Sequence, residues 1–371
     1  MSPVAAIRLR YKLQRESFVL DIDTELPMHG ITAVFGPSGA GKTTLLRCIA
    51  GLEEAATGHL VVAGITWEDS SAGASRSVNK RNIGYVFQEP RLFDHLSVRA
   101  NIEYGLKRRN HSGGPGIDQV IELLGLQQLL ARSPSELSGG EAQRVAIARA
   151  LSCSPRFVLM DEPLASLDQA RRDEILPFLD RLHVESQVPI IYVSHNIDEV
   201  CRLCDHLVVI DAGRVVAEGE LQDVLVRMDI PALGGDQSGS VIEGIAREHD
   251  AGDDLTRLAF SGGDLWVPGR AAEEGSSLRL RVRASDVSLC RSMPKQSTIL
   301  NILPAVVEAI QPGDGPSMLV RLKLGDDRIV ARVTRRSIRE LGLQVGDQVF
   351  AQIKSVAVRS FCIPHNAVDH R

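Results

Sequence analysis

Ile31-Thr32-Ala33-Val34-Phe35 is a run of apolar and β-branched residues, and Gly36-Pro37-Ser38-Gly39-Ala40-Gly41-Lys42-Thr43-Thr44 follows it without a break. The run reads as a buried strand. The segment after it matches the spacing G-x-x-x-x-G-K-[ST] in its required setting, between a strand and a helix. Glycines allow consecutive backbone N–H groups to converge on phosphate oxygens, and the helix that starts there adds its positive dipole end. Lys42 is placed to reach β- and γ-phosphates, and Thr43 to offer a hydroxyl to Mg²⁺. A glycine-rich turn of purely structural purpose rarely satisfies every position together with the flanking elements.

Phe157-Val158-Leu159-Met160 and Ile190-Ile191-Tyr192-Val193 are further candidates for buried strands, each followed by a turn and a helical pattern. Strand, turn and helix in repetition indicate an α/β domain with a largely parallel sheet. The first of these strands delivers Asp161 and Glu162 at its C-terminal end, the edge where such folds bind ligands. Asp161 is suited to hold Mg²⁺ through water, and Glu162 to act as general base toward an attacking water. Alone, such a pair would read as two solvated loop acids.

Leu137-Ser138-Gly139-Gly140-Glu141-Ala142-Gln143-Arg144 supplies a second anion-binding turn. Ser138 and Glu141 have capping-box spacing, and Gly139 and Gly140 permit close approach of a phosphate. One nucleotide has no evident use for two such sites in one chain.

In this order, the phosphate loop, Leu137 to Glu141 and the Asp161–Glu162 pair resemble the ATP-binding subunits of ABC transporters, over residues 1 to about 230. The resemblance implies an α/β P-loop NTPase of the ABC ATPase class, using ATP and Mg²⁺. It also implies a head-to-tail homodimer, in which Ser138, Gly139, Gly140 and Glu141 of one subunit close on the ATP of the other. Gln88, in Tyr85-Val86-Phe87-Gln88, is similar to the glutamine that contacts Mg²⁺ and water. Asp168, in Ser166-Leu167-Asp168, is similar to the aspartate at the dimer seam, and His195 to the histidine that contacts the γ-phosphate. The family usually stacks an aromatic ring on adenine, and Tyr11 and Phe18 are both candidates. Gln88 to Val98 resembles the importer type, with Leu92, Phe93 and Leu96 helping to receive a helix of an integral membrane permease. A substrate-binding protein would then take part indirectly, and the chain would lie at the cytoplasmic face of a membrane.

Beyond Pro231 the composition turns small and polar, as in a linker, and the period then changes from helical to alternating. Leu278-Arg279-Leu280-Arg281-Val282-Arg283 alternates as a half-buried strand does. Runs at 305–307, 318–322, 328–333 and 349–353 read as further short strands between turn signals, so this part is a small all-β, OB-like barrel. The expected division is 1–232 for the ATPase domain, 233–290 for a linker and β-rich extension, 291–360 for the barrel and 361–371 for a tail. Ser297-Thr298-Ile299-Leu300-Asn301 and Ala351 to Val358 are similar to segments of molybdate-binding barrels, with Leu300 where an arginine is common. That resemblance implies an importer of molybdate. Ser297, Thr298, Lys354 and Ser355 are candidates to hold molybdate or tungstate in the tail. Related barrels accompany ATPases for sulfate, iron, sugars and polyamines. A soluble ABC ATPase acting on DNA or ribosomes usually carries a long coiled insertion or two cassettes, and neither pattern is present.

The whole composition agrees. A chain of 371 residues has room for two or three domains, and a net charge of −5 argues against a nucleic-acid partner. No apolar run approaches the roughly 18 residues of a membrane span, and the basic first residues do not read as a secretory signal. The 6 cysteines show no disulfide framework, which fits a reducing compartment. Cys201 and Cys204 lack a second pair and read as small apolar residues on a helix.

Overall fold

A computed structural model of the chain describes residues 6–15, 18–54, 56–106, 116–185 and 188–362. By internal contacts the chain divides into Met1–Glu218 and Gly219–Arg371.

The first unit is built on a six-stranded sheet. Its order is Arg214–Glu220, His206–Asp211, Ile31–Phe35, Ile190–Ser194, Phe157–Asp161 and Ile83–Val86. The last five strands pair in parallel. Ile31–Phe35, Phe157–Asp161 and Ile190–Ser194 are buried at every position. Continuous apolar runs suit this placement, because a parallel strand covered on both faces has no side to give to water. These three strands are adjacent, so the residues just past their C-terminal ends are gathered at one edge.

A second, antiparallel sheet contains Phe18–Pro27, Ala6–Arg15, Thr57–Val62, Ile65–Asp69 and Ala74–Ser75 in that order. The parallel-sheet reading of the sequence did not anticipate it. Its first two strands alternate strictly, burying Ile7, Leu9, Tyr11 and Leu13 against Leu20, Ile22 and Leu26. The outward positions pair opposite charges across the strands: Arg8 with Glu25, Arg10 with Asp23, and Lys12 with Asp21.

The second unit consists of two five-stranded antiparallel sheets that curl around one core, an OB-like barrel. One sheet is ordered Gly263–Pro268, Leu255–Phe260, Gly239–Asp250, Ser277–Arg283, Arg359–Cys362. The other is ordered Val287–Cys290, Gln348–Ile353, Asn301–Pro312, Ser317–Leu324, Asp327–Thr334. Asn301, at the start of the central strand of the second sheet, ties it to the edge strand Gly263–Pro268 of the first. Its Oδ1 accepts the Trp266 N–H at 2.7 Å, while its Nδ2 donates to the Trp266 carbonyl at 3.0 Å and to Ser355 Oγ at 3.1 Å. The carboxamide thus takes the part of a peptide group where the two sheets meet.

Two expected boundaries differ from the packing. Residues 219–232 belong with the β unit: the helix Leu221–Leu225 packs on Gly239–Asp250, and Val226 clusters with Ala284, Leu319 and Val330. The expected linker contains two short 3-10 turns, Pro231–Leu233 and Gly235–Gln237, and then the start of a strand. The division at 290/291 falls inside a single core, since Val287–Cys290 pairs with Gln348–Ile353. Composition marks where the hydrophobic period changes, whereas a domain ends where packing ends. Of the expected tail 361–371, residues 363–371 lie outside the described residues.

Candidate functional site

Gly36 opens the phosphate loop because nothing larger fits: a Cβ there would lie 2.0 Å from the Ile210 carbonyl oxygen. Pro37, Ser38 and Gly39 are exposed, Ala40 is buried and Thr44 is half-buried. Gly41, at φ 104°, ends the loop as the N-cap of the helix Lys42–Ala50. That helix has no side-chain cap and no acid in its first turn, so its first N–H groups face the loop without competition. Lys42 is buried, and its Nζ donates to the carbonyls of Gly36 and Pro37 at 2.9 Å each. Burial lowers its pKa, opposed by the charges of Glu162 and Asp161.

Asp161 ends the strand Phe157–Asp161, which Ile190–Ser194 separates from Ile31–Phe35, and Glu162 follows it. Thr43 Oγ1 donates to Asp161 Oδ1 at 2.8 Å, and the Tyr85 hydroxyl donates to Oδ2 at 3.2 Å. Burial pushes the Asp161 carboxyl up, while the two hydroxyls pull it back. Glu162 has a left-handed backbone, φ 46°, which is uncommon outside glycine and turns its side chain off the strand direction. Its Oε2 lies 3.0 Å from His195 Nδ1, and its Oε1 lies 3.9 Å from Lys42 Nζ. Lys42, Thr43, Asp161, Glu162 and His195 therefore form one cluster. Tyr85 is a member that the sequence reading overlooked, although it stands three residues before Gln88.

Gln88 is exposed and makes no hydrogen bond among the described residues. The loop that carries it is tied to the helix Gly139–Leu151. Gln143 Nε2 donates to the Phe87 carbonyl at 3.3 Å, and Arg149 donates to the carbonyls of Arg91 and Pro90. Leu92, Phe93 and Leu96 are half-buried, and the Phe93 ring packs on Tyr104 at 4.4 Å.

The turn at Ser138 stands apart. Its capping box is formed, with Glu141 Oε2 accepting the Ser138 N–H at 2.7 Å and Ser138 Oγ accepting the Glu141 N–H at 3.3 Å. The Ser138 N–H holds the Glu141 carboxyl below its ordinary range. No hydrogen bond or ion pair among the described residues joins Ser138–Glu141 to the phosphate loop. Asp168 caps the helix Gln169–Glu185 by accepting the Arg171 N–H at 3.0 Å.

The two adenine candidates separate. Tyr11 is fully buried, its hydroxyl 3.1 Å from both Glu68 and the Cys48 carbonyl, so it has no face to offer. The Phe18 ring lies against Gly41, where a Cβ would meet it at 2.6 Å. A cavity of about 850 Å³ on the antiparallel sheet, lined by Arg10, Lys12, Asp23 and His59 among others, contains none of the cluster. Cys201 is buried on the helix Ile197–Leu203, and Cys204 is buried at its C-cap. In the β unit, Ser297, Thr298 and Lys354 are exposed, whereas Ser355 is buried and bonded to Asn301.

The sequence model of the ABC transporter family matches residues 19–165, and that of the TOBE domain matches residues 297–359. A molybdenum import ATP-binding protein, ModC 1, of Azotobacter vinelandii is 51% identical over 358 residues, 96% of this chain and 99% of that protein. The chain belongs to the ABC transporter family. A ModC of Thiobacillus denitrificans is also 51% identical, over 95% of this chain and 98% of its own length. Among solved structures, CbiO1 of Clostridium perfringens, described as part of the ABC transporter complex CbiONQ, is 26% identical. It superposes with a TM-score of 0.51 over 60% of this chain and 90% of its own. Among the described residues, no helix is long and apolar enough to cross a membrane.

Proposed function

We propose that the chain is the ATP-hydrolysing subunit of a molybdate importer, working as a head-to-tail homodimer beneath integral membrane permease subunits. The observation that carries the reaction is the cluster in which Glu162 lies 3.0 Å from His195 and 3.9 Å from Lys42, beside the Thr43–Asp161 bond of 2.8 Å. The relatives named for molybdenum import, alike over nearly the whole length, support the cargo.

Lys42 and the loop N–H groups bind the β- and γ-phosphates, and Phe18 stacks on the adenine. The donors beside the loop are hard oxygens, which suit Mg²⁺. Thr43 would hold it directly and Asp161 through water, with the Gln88 side chain completing the set. When bound, Mg²⁺ neutralises charge on the phosphate oxygens. Glu162 takes the proton of the attacking water, the water oxygen bonds to the γ-phosphorus, and the bond to the ADP oxygen breaks. His195 contacts the γ-phosphate and orients Glu162. Ser138 Oγ accepts the Glu141 N–H, so its own proton is left to donate to the partner's ATP. Asp168 lies at the seam of the dimer. Closure of that dimer on ATP moves the permease through the segment Gln88 to Val98, at the cytoplasmic face of the membrane.

Proteoliposomes containing the chain with its permease partners test this. ATP-dependent accumulation of molybdate is expected. Glu162→Gln should lower ATP turnover by about 10²–10⁴-fold, the usual weight of a general base, with ATP binding retained. Accumulation of sulfate in place of molybdate would overturn the cargo and leave the motor standing.

The tail adds regulation. Ser297, Thr298 and Lys354, with the proton of the Ser355 hydroxyl, hold molybdate or tungstate and slow import when cargo is plentiful. Isothermal titration of the full chain should show molybdate and tungstate binding in preference to sulfate. Absence of heat for all three would reduce the tail to a dimerisation barrel.

A further inference from the structure

Glu199 is a buried carboxylate, 6% exposed, with no part in the chemistry above. Such a group is costly to bury unless it is fully bonded. Its Oε2 accepts the Tyr192 hydroxyl at 2.9 Å and the Ser194 hydroxyl at 2.8 Å. Both donors lie on the strand that ends one residue before His195. Ser194 Oγ, its proton given to Glu199, accepts the Asn196 N–H at 3.0 Å. Asn196 in turn caps the helix Ile197–Leu203 by accepting the Asp198 N–H at 2.9 Å. The residues on either side of His195 are thus fixed through one carboxylate.

The same group reaches the other half of the hydrolytic pair. Glu199 Oε1 lies 4.0 Å from the Arg172 guanidinium, and Arg172 Nε donates to the Leu164 carbonyl at 3.2 Å. Leu164 stands two residues after Glu162, in the loop that leads to Asp168. An acid in the first turn of a helix ordinarily serves its own helix dipole. Here both hydroxyl bonds go to the strand before His195, and the guanidinium contact goes to the loop after Glu162.

We propose that Glu199 is a positioning residue for hydrolysis: through Ser194 and Arg172 it sets His195 against Glu162. The proposal rests on reading Glu162 and His195 as the hydrolytic pair. Small displacements of a reacting group are expensive, with about 1 Å worth as much as about 10²-fold in rate.

The experiment is a double-mutant cycle on the full-length dimer, following kcat and KM for ATP. Glu199→Gln should lower kcat about tenfold with KM within about twofold, because nucleotide contacts are untouched while alignment is loosened. In a His195→Ala background the same change should cost nothing further, because residues that act through one another are not additive. Ser194→Ala removes the same tie with less disturbance of the core and should repeat the pattern. It decides the matter if Glu199→Gln melts at a much lower temperature. Equal losses in both backgrounds would make Glu199 a structural residue and overturn the proposal. His195→Ala lowering kcat while Glu199→Gln and Ser194→Ala do not would overturn it alone. Unchanged kcat in His195→Ala would overturn it together with the hydrolytic pair.

Discussion

The helices that begin at Lys42 and at Gly139 look alike in sequence, each opening after a glycine-bearing or serine-bearing turn, but they are finished in opposite ways. The first has glycine as its N-cap, no side-chain cap and no acid in its first turn. The second is closed by its own residues, Ser138 and Glu141 exchanging bonds across the first turn. An uncapped N-terminus with a buried lysine beside it is a strong cradle for a polyphosphate. A capped one is stable by itself and has less to offer an anion. In the proposed dimer the difference suits one turn that grips its own subunit's ATP and another that meets the ATP of the partner.

The sharpest way to break this comparison is to mix two inactive variants. Lys42→Ala removes the cradle, and Ser138→Ala removes the hydroxyl of the second turn. In a head-to-tail dimer of one subunit of each, one site carries both defects and the other is intact. Each variant alone should be inactive. Random mixing should restore roughly a quarter of wild-type ATPase activity, since half the dimers then keep one of two sites. No recovery on mixing would mean that the two turns acting on each nucleotide come from the same subunit.

A smaller effect sharpens the contrast. Glu141→Gln replaces the charged half of the capping box and should cost on the order of 1 kcal/mol or less in thermal stability at neutral pH. The folded carboxyl titrates below its unfolded value, so its contribution is present above the unfolded pKa. It is lost as pH falls through the lowered folded pKa. The gap in melting temperature between wild type and variant should therefore be full at pH 7 and close toward acid pH. A gap independent of pH would mean that the charge contributes nothing.

Much of the site was legible because its spacing is local. The phosphate loop, the capping box at Ser138 and the acids after Phe157–Met160 are each continuous in sequence. Tyr85 was overlooked because a tyrosine on a strand carries no sign of where its hydroxyl points. Glu199 was overlooked because an acid early in a helix has an ordinary explanation. The antiparallel sheet was missed although Ala6–Arg15 alternates cleanly, since the strand on its far side, Thr57–Val62, comes only after the phosphate-loop helix. In the β unit the runs at 278–283, 318–322, 328–333 and 349–353 lie close to observed strands, but 305–307 is only part of Asn301–Pro312, and Gly239–Asp250, Leu255–Phe260 and Gly263–Pro268 were not read. The division at 290/291 was misplaced because strand pairing disregards sequence distance.

The sequence by itself determined the phosphate loop, the helix starts at Lys42 and Gly139, the change from α/β to all-β and the family resemblance, because each rests on residues near one another in the chain. Only the tertiary structure decided that Tyr11 is core and Phe18 lies on the loop, that Ser355 is bonded to Asn301, and that Glu162 and His195 stand 3.0 Å apart. The physical reason is sheet formation: it brings together residues that the chain separates, 33 positions for Glu162 and His195 and 54 for Asn301 and Ser355, and no local pattern records which will meet.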